Sequence, residues 1–162
     1  MEKLKYQFED FLMTVSDDYK DFVITVHEML LRDNYKIKIE SKKNGFLVSY
    51  SHPKTKRVIM NFLFRKKGLL IRVYAENCAK YPDVLNSLPE RIVDQIAGAT
   101  VCKKLVNPQD CWEKCVMGYD FYIGGNHYQK CRYDCFQLDV DSESIPFLLE
   151  LIESENKERR TA

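Results

Sequence analysis

No stretch of this chain approaches the roughly 20 consecutive apolar residues of a membrane-spanning helix, so no such helix is expected and no membrane partner follows from the sequence. The opening, MEKLKYQFEDF, lacks the apolar run and small-residue cleavage site of a secretory signal, which points to the cytoplasm. No Gly-rich phosphate loop, no H-E-x-x-H and no G-x-S-x-G occurs. The commonest signatures of nucleotide binding, zinc proteolysis and serine hydrolysis are therefore missing, and the balance favours a non-enzyme. There is no internal repeat and no low-complexity linker. Glycine is sparse, at six in 162 residues, and the formal net charge is only +1.

Cysteine is not sparse. Five of the six lie between Cys102 and Cys135, together with the only tryptophan, Trp112. Thiols stay reduced in the cytoplasm, which favours a bound metal or free cysteine over structural disulfides. Eight residues separate Cys102 from Cys111, three separate Cys111 from Cys115, fifteen precede Cys131 and three more precede Cys135. Structural zinc takes four thiolates or imidazoles in a tetrahedron. Cys111 and Cys115 can share one ion if their backbone is helical, and Asp110 is placed to cap such a turn. Arg132-Tyr133-Asp134 leads directly into the alternation Phe136, Leu138, Val140. On one strand the sulfurs of Cys131 and Cys135 would stand about 13 Å apart, too far to share an ion at Zn–S distances of about 2.3 Å. The expected zinc ligands are therefore Cys102, Cys111, Cys115 and Cys131. Cys135 is the reserve if a turn interrupts that strand, and His127 is a further candidate. The competing explanation is buried, reduced cysteine acting as a small hydrophobe.

Around this segment the pattern is α+β, expected as a single domain over residues 1–162. Helical spacing of Phe8, Phe11, Leu12 and Val15 marks a short opening helix within 5–16. A second helix, capped by Asp17 or Asp18, runs to about Arg32 with Phe22, Val23, Val26, Met29 and Leu30 as its stripe. Four strands follow as an antiparallel meander: one around Ile37 and Ile39, one around Phe46 to Tyr50, then Val58–Phe64 and Leu69–Tyr74. Helix returns after Pro82, with Pro89 breaking or kinking it. Tyr119–Ile123 leads into a Gly124-Gly125-Asn126 hairpin turn. The last helix is expected over about 144–157, with a charged tail from Asn156 that frays.

Charge is uneven along the chain. Asn34 to Tyr74 holds eleven Lys or Arg and one acid, Glu40. Lys54, Lys56, Arg57, Arg65, Lys66 and Lys67, with aromatics interleaved, are the candidate nucleic-acid surface. The plainer explanation is a sheet with a wet face and charged turns that resist edge pairing. Three function classes remain: a binding or regulatory module with a structural zinc site, a nucleic-acid-binding protein using residues 34–74, and a thiol-based redox protein. For the last, His27, His52 and His127 are the available bases; His27 is expected at the core rim and His52 in solvent.

Two resemblances bear on these classes. The opening amphipathic helix, the hairpin VIMNFLFRKKGLLIRVY and the helix YPDVLNSLP resemble the YdhG-like bacterial domains over the first hundred residues. That resemblance implies a sheet packed by helices. Proteins of that group have been called iron chaperones, but no motif residue of theirs maps onto this sequence. The twin C-x3-C pattern is similar to the small Tim chaperones, whose pairs form disulfides on a helical hairpin. Here Gly118 to Gly125 reads as strand and turn, which sets that likeness aside.

Overall fold

The computed structural model describes residues 5–161. The apolar stripe of the second helix forms as its spacing requires: α2 (Asp17–Arg32) follows α1 (Phe8–Leu12) and buries Phe22, Val23, Val26 and Leu30. Ser16 occupies the cap position. Asp17 and Asp18 instead lie in the first turn, where carboxylates suit the positive end of the helix dipole.

The meander is present as β1 (Lys36–Lys42), β2 (Gly45–Ser51), β3 (Val58–Arg65) and β4 (Gly68–Val73). A fifth strand, β7 (Gln137–Asp139), adds beside β4, giving an antiparallel sheet ordered β1-β2-β3-β4-β7. The register places Val48 opposite Phe62 and Phe62 opposite Ile71, and Ile71 opposite Leu138. All four are fully buried and share one face with Tyr50 and Met60. Onto that face Phe11 and Phe22 pack their rings against Phe62. His27 stacks on Phe8 and shares a 2.8 Å hydrogen bond between its Nδ1 and the Tyr50 hydroxyl, at the core rim as expected. Each such buried side chain contributes about 1.5–3 kcal/mol by removal from water.

Pro89 separates two helices rather than kinking one: α3 (Pro82–Asn86) ends, and α4 (Glu90–Ala97) begins with Pro89 as its cap residue. A short α5 (Lys103–Val106) follows. The second sheet is the hairpin β5 (Tyr119–Ile123) and β6 (Asn126–Lys130), turned by Gly124 and Gly125, both at positive φ. Phe121 and Tyr119 tilt against Phe136, which ties the hairpin to the main core.

The last helix corrects the expectation of a frayed tail. α6 (Ile145–Thr161) is helical throughout and buries Glu155, Asn156 and Arg159. Their burial is possible because each has partners. The Glu155 carboxylate accepts from the Tyr81 hydroxyl (2.7 Å), the Asn77 amide N–H (3.0 Å), Asn77 Nδ2 (2.9 Å) and Arg159 Nε (2.8 Å). Arg159 also donates to the Tyr74 carbonyl at 2.8 Å. Glu76 extends the network to Arg57 at 2.5 Å and Arg132 at 2.9 Å. Asn156 Nδ2 reaches Asp33 at the end of α2. A tail that looks merely charged in sequence is thus a tenon held by a buried ionic network.

Candidate metal centre

The cysteine segment is organised about Lys130, the last residue of β6. On one side Lys130 pairs with Tyr119; on the other it bridges to Val101. Around that bridge the Cys102 amide donates to the Gln129 carbonyl (2.9 Å) and the Cys131 amide to the Thr100 carbonyl (2.7 Å). Cys102 and Cys131 are therefore diagonal neighbours on one face of a two-stranded ladder, with Cα atoms about 7–8 Å apart. The frame is pinned twice more. Lys130 Nζ caps the end of α4 through the carbonyls of Ala97 (2.7 Å) and Ala99 (2.9 Å). Asp134 accepts from both the amide and hydroxyl of Thr100.

Gly118 completes the cradle. A Cβ there would lie 2.0 Å from the Lys130 carbonyl oxygen and 3.0 Å from Cys102 Cβ, so only glycine fits. Its amide donates to Cys102 Sγ at 3.2 Å. Three residues earlier in the chain is Cys115. Lys104 Nζ gathers the carbonyls of Trp112 (3.3 Å), Glu113 (3.0 Å) and Cys115 (2.7 Å), holding that strip of loop against α5. Burial first, then the charges of Asp134, Cys102 and Cys115, push the Cys131 thiol up against a backbone hydrogen bond from Tyr133. Cys131 thus lies within electrostatic reach of Cys102 and Cys115.

The remaining cysteines stand apart. Cys111 is exposed, with a left-handed φ of 79°. Residues 111–115 are not the helical turn expected from their spacing; the turn there is closed by Cys115 N–H to the Trp112 carbonyl at 3.0 Å. Asp110 does accept from the Cys111 amide, at 3.1 Å. The continuous strand drawn through Cys131 and Cys135 is also corrected. A turn occupies 132–136, with Cys135 N–H on the Cys131 carbonyl at 3.0 Å. That turn does not deliver Cys135 as the reserve ligand, because it points the side chain into the core, 1% exposed, where the Cys78 charge adds to burial in raising its thiol. His127 is also spent elsewhere: its Nε2 meets Asp120 Oδ1 at 2.6 Å and its ring stacks on Tyr122. Among the described residues, no three His, Cys, Asp or Glu side chains are already grouped closely enough to hold an ion, so coordination would require Cys102, Cys115 and Cys131 to close on one another as well as Cys111 and its loop to move inward.

A nucleophilic cysteine needs a lowered pKa and a base beside it. Burial pushes Cys78 up to about 12 and Cys135 well above its ordinary value. His27 is bound to Tyr50 and His127 to Asp120, while His52 Nδ1 accepts the amides of Lys54 and Thr55 rather than standing free in solvent.

The six cations singled out for nucleic acid do not form one patch. Arg65, Lys66 and Lys67 lie at the β3–β4 turn, while Lys54 and Lys56 lie in the β2–β3 loop at the opposite end of β3. Eight residues of strand put those ends about 26 Å apart. Arg57 is committed to Glu76.

Sequence reasoning found the cysteines but missed their scaffold. Gly118, Lys104, Thr100 and Asp134 carry no motif; only the glycine immediately before an alternating strand could have drawn notice. No family model, curated protein or solved structure matches this chain. Among the described residues, no helix is long and apolar enough to cross a membrane.

Proposed function

We propose that this chain is a non-enzymatic binding or regulatory module of the cytoplasm, whose cysteine segment closes on one zinc ion through Cys102, Cys115 and Cys131, with Cys111 swinging in as the fourth ligand. The observation that carries the reading is the placement of Cys102 and Cys131 on one face of the Val101–Lys130 bridge, with the Gly118 amide already donating to Cys102 Sγ. Lys104 brings the strip bearing Cys115 toward the same frame. The ion would then join three stretches of chain, around Cys102, Cys111–Cys115 and Cys131, and its binding free energy would become folding free energy for the segment.

Metal analysis of protein purified without chelator, paired with thiol counting before and after chelation, tests this. The expected result is one zinc per chain, lost in C102S and C131S and kept in C78S and C135S. Absence of stoichiometric metal, or its retention in C102S and C131S, would sink the proposal.

A further inference from the structure

The outer face of the main sheet, opposite the helices, carries a second feature. β3 alternates Phe62 and Phe64 toward the core with Asn61, Leu63 and Arg65 on the other side. Leu63 is 3% exposed yet stands outside the core cluster. It floors a groove of about 380 Å³ together with Leu47. That size lies within the range of about 300–1,000 Å³ typical of small-molecule sites. Around the floor stand Lys42, Lys43, Arg65 and Arg72; Glu40, opposite Leu47 in register, is turned to Lys38 and Lys42 at the edge strand.

Arg72 is the unusual member. Its partners are neutral: Gln137 Oε1 at 2.8 Å and Asn61 Oδ1 at 3.5 Å, a distance at which little bonding remains. Its Nε is buried with no acceptor at all. Among the described residues no acid pairs with Arg72, Lys43 or Arg65, and Lys42 has only Glu40 at 3.8 Å. A partly buried guanidinium lacking a counter-charge beside an apolar floor favours an anion that brings its own apolar surface.

We propose that this groove binds a small amphiphilic carboxylate, with its apolar carbons over Leu47 and Leu63 and its carboxylate against Arg72 and Arg65. The site is independent of the cysteine segment and of any metal there. Guanidinium and carboxylate match as planar partners, which lysine alone would not provide.

Amide NMR titration with sodium octanoate, using octanol as the uncharged control, tests the proposal. Octanoate is expected to shift the amides of 42–47, 63–65 and 72, with octanol at least about tenfold weaker. R72Q, whose amide can still meet Gln137, should weaken octanoate about tenfold. K43Q/R65Q changes only the exposed side chains of one turn residue and of the last residue of β3; it should weaken binding about threefold. Equal binding of octanol, shifts mapping elsewhere, or unchanged affinity in both variants would overturn the proposal. So would a single-stranded oligonucleotide that shifts these amides while octanoate does not.

Discussion

On the inner face of the main sheet, Val48, Tyr50, Met60, Phe62, Ile71 and Val73 are all fully buried, whereas Val101, Val106, Trp112, Val116 and Met117 stand exposed in the cysteine segment. The segment also holds two non-glycine residues at left-handed φ, Cys111 and Met117. The first region is held by removal of apolar surface from water. Within the second, the hairpin β5–β6 joins the main core through Tyr119 and Phe121, while the flanking stretches are held by polar pins: Lys130 on the end of α4, Lys104 on three carbonyls, Asp134 on Thr100. Pins of this kind each contribute about 0.5–1.5 kcal/mol, and residues 103–117, none of which is buried, have little else to organise them. That difference is the physical argument for an added crosslink in the segment and against one in the sheet.

The largest expected effect breaks the body and not the segment. Glu155→Ala strands Arg159 inside the protein and should cost about 3–5 kcal/mol, read as a lower urea midpoint. A loss below about 1 kcal/mol would mean the network relaxes into solvent. Next comes zinc itself. At a hundredfold excess over its dissociation constant it should stabilise by about 2.7 kcal/mol. Hydrogen exchange should slow in 100–118 and 129–135 and remain unchanged in β1–β4; uniform slowing would erase the contrast between the regions. Gly118→Ala should cost about 1–3 kcal/mol by forcing the strand off Lys130, with increased exchange confined to the same segment.

The smallest effect lies at the start of α6. Arg91 holds the Asp141 carboxyl below its usual range, with the Ser144 amide assisting and burial opposing. A depressed folded pKa means the stabilisation is present above the unfolded value of about 3.9 and is lost as pH falls through the folded value. Asp141→Asn should therefore cost about 0.5–1 kcal/mol at neutral pH. The difference from the parent protein should vanish in strong acid; persistence there would show that charge is not its source.

The meander and α2 were legible because their apolar residues repeat at periods of two and 3.6, and Asn44-Gly45 and Lys67-Gly68 mark the turns between strands. β7 was seen as a strand, but its place beside β4 could not be read from a three-residue pairing. The C-terminal tail was misjudged for a related reason. Local pattern marks Glu155, Asn156 and Arg159 as solvent-facing, and it is Tyr81, Asn77, Tyr74 and Asp33, more than seventy positions away, that make their burial tolerable. In the cysteine segment, spacing drew attention to the thiols, but the helical turn it required at 111–115 and the strand drawn through 131–135 are not what the backbone adopts.

Composition and periodicity by themselves determined that this chain is α+β, which faces of its strands and helices are apolar, and that its thiols crowd into one stretch. Tertiary structure alone decided which thiols become neighbours, which charges are buried, and which arginine is left without an anion. The reason is one of range. Periodicity reports what a side chain does relative to its own backbone, while pairing of distant thiols and ions depends on which strands meet, and that is set by the packing of the whole core.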